Sequence, residues 1–296
     1  MPSFETLSAC PVCSSTQFTP FLTCTDYLVS QRPFAIVSCS ACGFRLTNPR
    51  PDAQSIGAYY KSVDYVSHND SGGGVINRVY RAVRSYTLRS KLTLINSLTG
   101  GTGSLLDVGC GTGAFLETCK RVGWQTTGME PDPDARAIAT EKTGNLIFPE
   151  MASVPVDQGF DVITMWHVLE HVPNLPETIG QLHARLKAGG TLIVAVPNSN
   201  SYDAQYFGAQ WAAYDVPRHL SHFTPETIER LFNNNGFRLV GQKPMVFDAF
   251  YIGLLSTAYQ KGKSDYVTSM RVGLQSNNRA RQTGNWSSVI YLFRKA

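Results

Sequence analysis

The stretch LLDVGCGTGAF, residues 105–115, decides the fold. A short apolar run carrying Asp107 passes into Gly109, Gly111 and Gly113 at every second position, and FLETCKRVG then reads as a helix. Outward from it, SLLDVG, WQTTGME, NLIFPE, FDVITMW and TLIVAVP read as strands. PDARAIATEKTG, and the segment after NLPETIG with Leu175, Ile179, Leu182 and Leu186, read as helices. TPETIERLFNNN is a further helix, with Thr224 at its N-cap, Pro225 at its first position and Gly236 closing it. FRLVGQK and SSVIYLF are later strands. Alternation of this kind predicts an α/β fold with a mostly parallel sheet and helices on both faces.

In such a sheet, ligands gather beyond the carboxyl ends of the strands, where the strand order reverses. The three glycines sit at that end of the first strand, where missing Cβ atoms let backbone approach a ligand. A nucleoside triphosphate site wants GxxxxGK[ST], but no lysine follows here. A dinucleotide site wants GxGxxG, whereas Gly109-Cys110-Gly111-Thr112-Gly113 is GxGxG. Glu130, followed by Pro131, ends the second strand in TTGMEPD, where a carboxylate can accept from both hydroxyls of a ribose. The expected ligand is therefore an adenosine-type nucleoside without phosphates. S-adenosylmethionine fits, with its amino-acid end over the glycine loop and Asp107 near its positive charge.

The 296 residues are 43% apolar, enough for a substantial core. No apolar run reaches the roughly 18 residues of a membrane span. MPSFETLSAC does not read as a secretory signal, so a cytoplasmic location and no membrane partner are expected. Net charge is +4, with basic flanks (9 basic and 5 acidic in 1–99, 8 and 2 in 241–296) around an acidic middle (9 and 15). Such flanks suit an anionic substrate, or are simply solvated surface.

Of seven cysteines, Cys10 and Cys13 form CPVC, and Cys39 and Cys42 form CSAC. Two such turns complete a tetrahedral four-sulfur shell, and the expectation is a structural zinc with no open position. Gly43 suits the tight turn after the second pair, and Cys24 is left as a core or loop residue. Residues 45–66 read as a connector and SHNDSGGG (67–74) as a linker. A helix follows over 75–98, with Val75, Val79, Val83, Leu88, Leu92 and Ile95 on one face and Arg78, Arg81, Arg84, Arg89 and Lys91 as its charges.

Residues 104–240 resemble the class I S-adenosylmethionine-dependent methyltransferases, whose first motif is similar to LLDVGCGTGAF. The resemblance implies a Rossmann-like, seven-stranded, mostly parallel sheet whose last strand, SSVIYLF, is antiparallel. The expected organisation is a zinc-knuckle module and connector at 1–66, a linker and basic helix at 67–98, and the methyltransferase domain at 99–296. The knuckle followed by NPRP and paired tyrosines is similar to methyltransferases acting on sugar nucleotides and other small metabolites.

MWHVLEHVPN (165–174) contains His167-x-x-Glu170-His171, the HxxEH pattern of inverted zinc peptidases. That reading fails because Pro173 follows too soon for a sustained helix. Ubiquinone-pathway O-methyltransferases and small-RNA 3′-end methyltransferases carry a similar stretch, with glutamate in place of His167. There the motif is implied to hold a divalent metal that acidifies the accepting hydroxyl. RHLSHFT (218–224) resembles the region that supplies a later histidine in the RNA enzymes, offering His219 or His222. His167, Glu170, His171 and His222 form one candidate ligand set, and its histidines favour zinc, manganese or iron over magnesium. The alternatives are His167 or His171 as general base, and purely structural roles.

Tyr214, Arg218 and His219 lie after the fifth strand, where the acceptor should enter, with Arg218 suited to a substrate carboxylate or phosphate. Loop packing around Trp211 and Pro217 accounts for the same cluster. Trp166 packs near the donor or in the core. Three functions fit: methyl transfer to a small polar metabolite such as a sugar nucleotide, methylation of RNA held by the knuckle and basic helix, or a non-catalytic donor-binding scaffold. Acceptor atom and oligomeric state are not encoded in these motifs.

Overall fold

The computed structural model describes residues 2–60, 75–157 and 159–296, and of residues 75–82 the backbone alone. The expected linker 67–74 and the side chains of Val75, Arg78, Val79 and Arg81 lie outside the described residues. The chain begins with five short strands, β1 (Phe4–Glu5), β2 (Phe18–Thr25), β3 (Pro33–Cys39), β4 (Arg45–Thr47) and β5 (Arg50–Pro51). Helix α1 (Val75–Thr99) leads to β6 (Ser104–Val108), α2 (Ala114–Lys120), β7 (Gln125–Met129), α3 (Pro133–Thr143) and β8 (Ile147–Phe148). Then come β9 (Phe160–Trp166), α4 (Leu175–Arg185), β10 (Leu186–Pro197), α5 (Tyr202–Phe207) and β11 (Ser221–His222). The chain ends with α6 (Pro225–Asn233), β12 (Phe237–Pro244), α7 (Asp248–Lys261), α8 (Tyr266–Thr283) and β13 (Ser288–Lys295).

Seven strands form one sheet in the order β12-β13-β10-β9-β6-β7-β8. β8, β7, β6, β9 and β10 run parallel, while β13 is antiparallel to both neighbours. This is the expected fold class. The strand order reverses between β6 and β9, so the crevice beyond their carboxyl ends lies beside Gly109 and His167.

Alternate residues of each buried strand serve opposite faces. Leu106, Ile163, Met165 and Val194 pack with Leu175, Ile179 and Leu182 of α4 and Ile228, Leu231 and Phe232 of α6. Leu105, Val162 and Ile193 pack with Leu94 and Ile95 of α1 and Phe115 and Leu116 of α2. Each of these fully buried side chains contributes about 1.5–3 kcal/mol. Helix starts follow local chemistry: Asp132, Asn174 and Thr224 each accept an N-terminal backbone N–H, and a proline follows each in the first turn. Among the described residues, no helix is long and apolar enough to cross a membrane.

Two features were not predicted. The N-terminal sheet, in the order β11-β4-β3-β2, takes its fourth strand from residues 221–222, across the expected boundary at residue 66. Helices α7 and α8 form a pair inserted between the last two strands.

Arg218 ties these parts together. It is buried, and its guanidinium meets Asp26 at 3.2 Å, Asp215 at 2.6 Å and the Tyr59 carbonyl at 2.9 Å. Its expected partnership with a substrate anion is therefore corrected: two internal carboxylates and the Tyr59 carbonyl take its forked donors. Arg218→Met leaves two carboxylates without their cation and is expected to cost about 3–5 kcal/mol. Chemical denaturation measures that loss, and an unchanged midpoint would contradict the assigned role.

Candidate functional site

The donor side is built from the loop after β6. Gly109 and Gly111 have φ of 68° and 53°, the left-handed region that favours glycine. A Cβ on Gly109 would come within 2.5 Å of Val168, whereas one on Gly111 meets nothing within 4 Å and projects into open space. The loop amides are bonded internally: Gly109 and Cys110 donate to the Met129 carbonyl, and Gly111 donates to Glu130 Oε2 at 2.8 Å. What faces the crevice is thus the bare Gly111 backbone rather than an array of free N–H groups. Glu130 Oε1 also accepts from Asp132 N at 3.0 Å, which sets the carboxylate across the loop's edge. Arg136 binds the carbonyls of Glu130 and Pro131, fixing that turn.

Asp107 is buried and accepts from Thr164 Oγ1 at 2.6 Å; burial raises its pKa to about 6. Lys91 of α1, expected only as one of the charges of the basic helix, lies with its ammonium 4.2 Å above the Trp166 ring. Burial lowers the Lys91 pKa to about 8, and Asp107 and Asp248 oppose that fall. The Trp166 ring meets Phe115 edge-on, and its indole N–H has no partner among the described residues.

The acceptor side begins where β9 ends. His167 holds a φ of 57°, and its N–H donates to the Ala195 carbonyl at 2.9 Å. A short turn over Leu169–His171 then directs Glu170 inward. The Glu170 side chain is 1% exposed, and neither carboxylate oxygen has a hydrogen-bond donor among the described residues. Its nearest charge is His167, with Nδ1 3.4 Å from Oε1. A buried carboxylate without hydrogen-bond donors costs several kcal/mol unless a cation accompanies it, and among the described residues the His167 imidazolium fills that role.

Two imidazoles complete the cluster. His171 Nδ1 lies 3.0 Å from the Arg218 carbonyl and 2.9 Å from the Tyr60 hydroxyl. His219 Nδ1 lies 2.8 Å from the Ala213 carbonyl. Carbonyls only accept, so each Nδ1 carries the proton and each Nε2 keeps its lone pair, the state metal-binding histidines need. Burial, then the neighbouring His219, lowers the His171 pKa to about 4, so it is neutral at pH 7. One ligand atom from each of Glu170, His171 and His219 lies within 4.8 Å of the others. Two histidines and one carboxylate suit a divalent transition metal.

Several expectations change here. His222 leaves the predicted ligand set, because its Nε2 meets Thr47 Oγ1 at 3.0 Å within the β11–β4 pairing. His219, expected to meet substrate, takes that place. Tyr214 is buried against Trp211 and His222, so it packs the loop rather than lining an open surface. Burial would depress the His167 pKa, but Asp248 and Glu170 raise it to about 10. A base must be neutral to accept a proton, so this arrangement argues against His167 as the general base. Sequence reading missed Tyr60 and Asp248, and it assigned Lys91 to a basic surface rather than to the side of Trp166. The paired tyrosines of AYYK were the only visible signal, for Tyr60.

In the N-terminal module, the four expected cysteines converge as free thiols: Cys10 and Cys42 sulfurs are 3.6 Å apart, and those of Cys13 and Cys39 are 3.5 Å apart. A tetrahedral shell with metal–sulfur bonds of about 2.3 Å needs sulfurs about 3.8 Å apart, so the donor set fits zinc. Gly43, with φ 75°, closes one knuckle by donating to the Cys39 carbonyl.

The sheet order and its covering helices together define a doubly wound α/β domain. A family model described as a methyltransferase domain matches residues 80–242, and the chain belongs to that family. A ubiquinone biosynthesis O-methyltransferase of Rhodopseudomonas palustris is 28% identical over 162 residues, covering 49% of this chain and 62% of the relative. One from Aeromonas salmonicida is 30% identical, covering 48% and 66%. The matches thus span under two thirds of those relatives' lengths. Magnesium protoporphyrin IX methyltransferase from Synechocystis, solved with bound SAH, gives a TM-score of 0.53 at 14% identity, covering 83% of this chain and 100% of that one. The [4+2]-cyclase SpnF gives 0.50 at 19%, covering 83% and 98%. These structural likenesses are of fold alone.

Gly111→Val is expected to abolish S-adenosylhomocysteine binding, because its side chain enters the open space above the loop, and also to lower the melting temperature, because a β-branched residue is strained at a φ of 53°. Glu130→Ala is expected to weaken binding by about 1–3 kcal/mol. Calorimetry checks both, and unaltered affinity in either variant would contradict the donor site.

Proposed function

We propose that this chain transfers a methyl group from S-adenosylmethionine to a hydroxyl oxygen of a small polar metabolite, with sugar nucleotides the first class to examine. The observation that carries the reading is a juxtaposition at the ends of neighbouring strands: the open Gly111 cradle after β6, and Glu170 and His171 after β9, with His219 joining them from the segment before β11. Two further observations support it: the family itself, and relatives named as O-methyltransferases.

Glu130 grips the ribose diol, and Asp107 faces the donor's positive end. The donor is already activated, so the protein's main task is to align sulfonium, methyl and acceptor oxygen for in-line displacement. Glu170, His171 and His219 would hold a divalent cation, which would supply Lewis acidity to an acceptor hydroxyl. Glu170 contributes the negative charge of that set. The Arg218 carbonyl fixes the His171 tautomer, and the Ala213 carbonyl fixes that of His219. Cys10, Cys13, Cys39 and Cys42 hold a structural zinc that keeps the N-terminal sheet in register.

Labelled donor, offered with sugar nucleotides, small hydroxy acids and cellular RNA, is expected to deliver label to the small-molecule pool as a methyl ether. Label recovered in RNA, or on carbon or nitrogen, would overturn the acceptor assignment. Cys39→Ser is expected to release about one zinc per chain and loosen residues 2–51. Unchanged metal content would contradict the zinc assignment.

A further inference from the structure

We infer that Asp248, at the start of α7, keeps the His167 side chain out of the cation set formed by Glu170, His171 and His219, so that this set remains three-membered and open to substrate. The inference rests on the cation reading above and concerns a residue that reading does not use.

His167 stands first in the HxxEH stretch, where its spacing from Glu170 and His171 marks it as a fourth ligand. The structure gives its ring another engagement. Nε2 lies 3.2 Å from Asp248 Oδ2, and Nδ1 faces Glu170 Oε1 at 3.4 Å, so each nitrogen has a carboxylate at ion-pair distance, the nearer being that of Asp248. The backbone of His167 is fixed by its left-handed φ and its bond to Ala195, so the ring's direction depends on its side-chain partner. Among the described residues, the cluster within mutual ligand distance contains Glu170, His171 and His219 and not His167.

Asp248 is itself held firmly. Its N–H donates to the Met245 carbonyl at 3.2 Å. The preceding Phe247 packs edge-on against Tyr86 of α1, with ring centroids 5.6 Å apart. The inserted helix pair thus carries a carboxylate to the crevice from 81 positions along the chain. The consequence concerns coordination number. Three protein ligands leave positions for water and an acceptor hydroxyl, as catalytic sites require, whereas a fourth begins to close the site. Asp248 is in this sense a positioning residue that acts through His167.

Manganese binding to the full-length protein tests this without an acceptor. Calorimetry gives the affinity, and water-proton relaxation reports the water left on the bound ion. In Asp248→Ala the freed His167 is expected to join the set, tightening binding by about tenfold and lowering the relaxation enhancement per bound ion. Both changes should vanish in the Asp248→Ala, His167→Gln double variant, and Asp248→Glu should behave as the parent. Asp248→Ser serves as a second variant if alanine disturbs the first turn of α7. If the parent protein binds manganese and Glu170→Gln loses it, yet Asp248→Ala changes neither readout, this inference is overturned while the cation reading stands. If the parent binds none, or Glu170→Gln binds as the parent does, the cation reading itself fails.

Discussion

The Arg218 guanidinium, closed between Asp26 and Asp215, is the contact on which the acceptor side depends. Asp26 belongs to the N-terminal module and also accepts the backbone N–H groups of Leu28, Val29 and Ser30, so it is a fixed anchor. Once Arg218 is seated on it, its own carbonyl meets His171, and the next residue, His219, falls beside the same ring. Thr47 completes the clamp by donating its hydroxyl to the His219 carbonyl, and Leu220 donates to the Glu170 carbonyl. A buried charge pair is a poor source of net stability but an effective source of register, because misplacing either partner is costly. The module therefore serves the site through geometry, by fixing a segment that would otherwise be a surface loop.

The donor side relies on a different economy. Its positions are set by the parallel sheet, which brings the β6 loop and the β7 end together through the bonds from Gly109 and Cys110 to Met129. Glu130 then bridges back to Gly111. That short circuit of hydrogen bonds pre-orders the carboxylate before any nucleoside arrives, so little conformational entropy is lost on binding.

Much of this was legible in the sequence, for identifiable reasons. Buried parallel strands are short apolar runs, and capping residues followed by proline mark helix starts, so LLDVG, FDVITMW and TPETIERLF declare themselves. The cysteine pairs were readable because two CxxC turns at this spacing have few uses other than a shared metal. The acceptor side was only half legible. HxxEH exposed Glu170 and His171, but RHLSHF offered two histidines, and only the two-residue strand at 221–222 decides between them by turning His222 toward Thr47. The α7–α8 pair was invisible, since DAFYIGLLSTAYQK is apolar around most of its circumference and lacks a clean stripe. Asp248 was hidden for the same reason: no local pattern links it to His167. Arg218 looked available to substrate because its partners lie far away in sequence or read as loop acids.

The account stands on a phosphate-free nucleoside occupying the crevice between β6 and β9. A crystal structure of the protein soaked with S-adenosylhomocysteine tests it most directly. The expected density places the ribose hydroxyls on Glu130 and the amino-acid end against Gly111, close to Asp107. A vacant crevice at saturating ligand, or a pyrophosphate-bearing nucleotide found there instead, would contradict it.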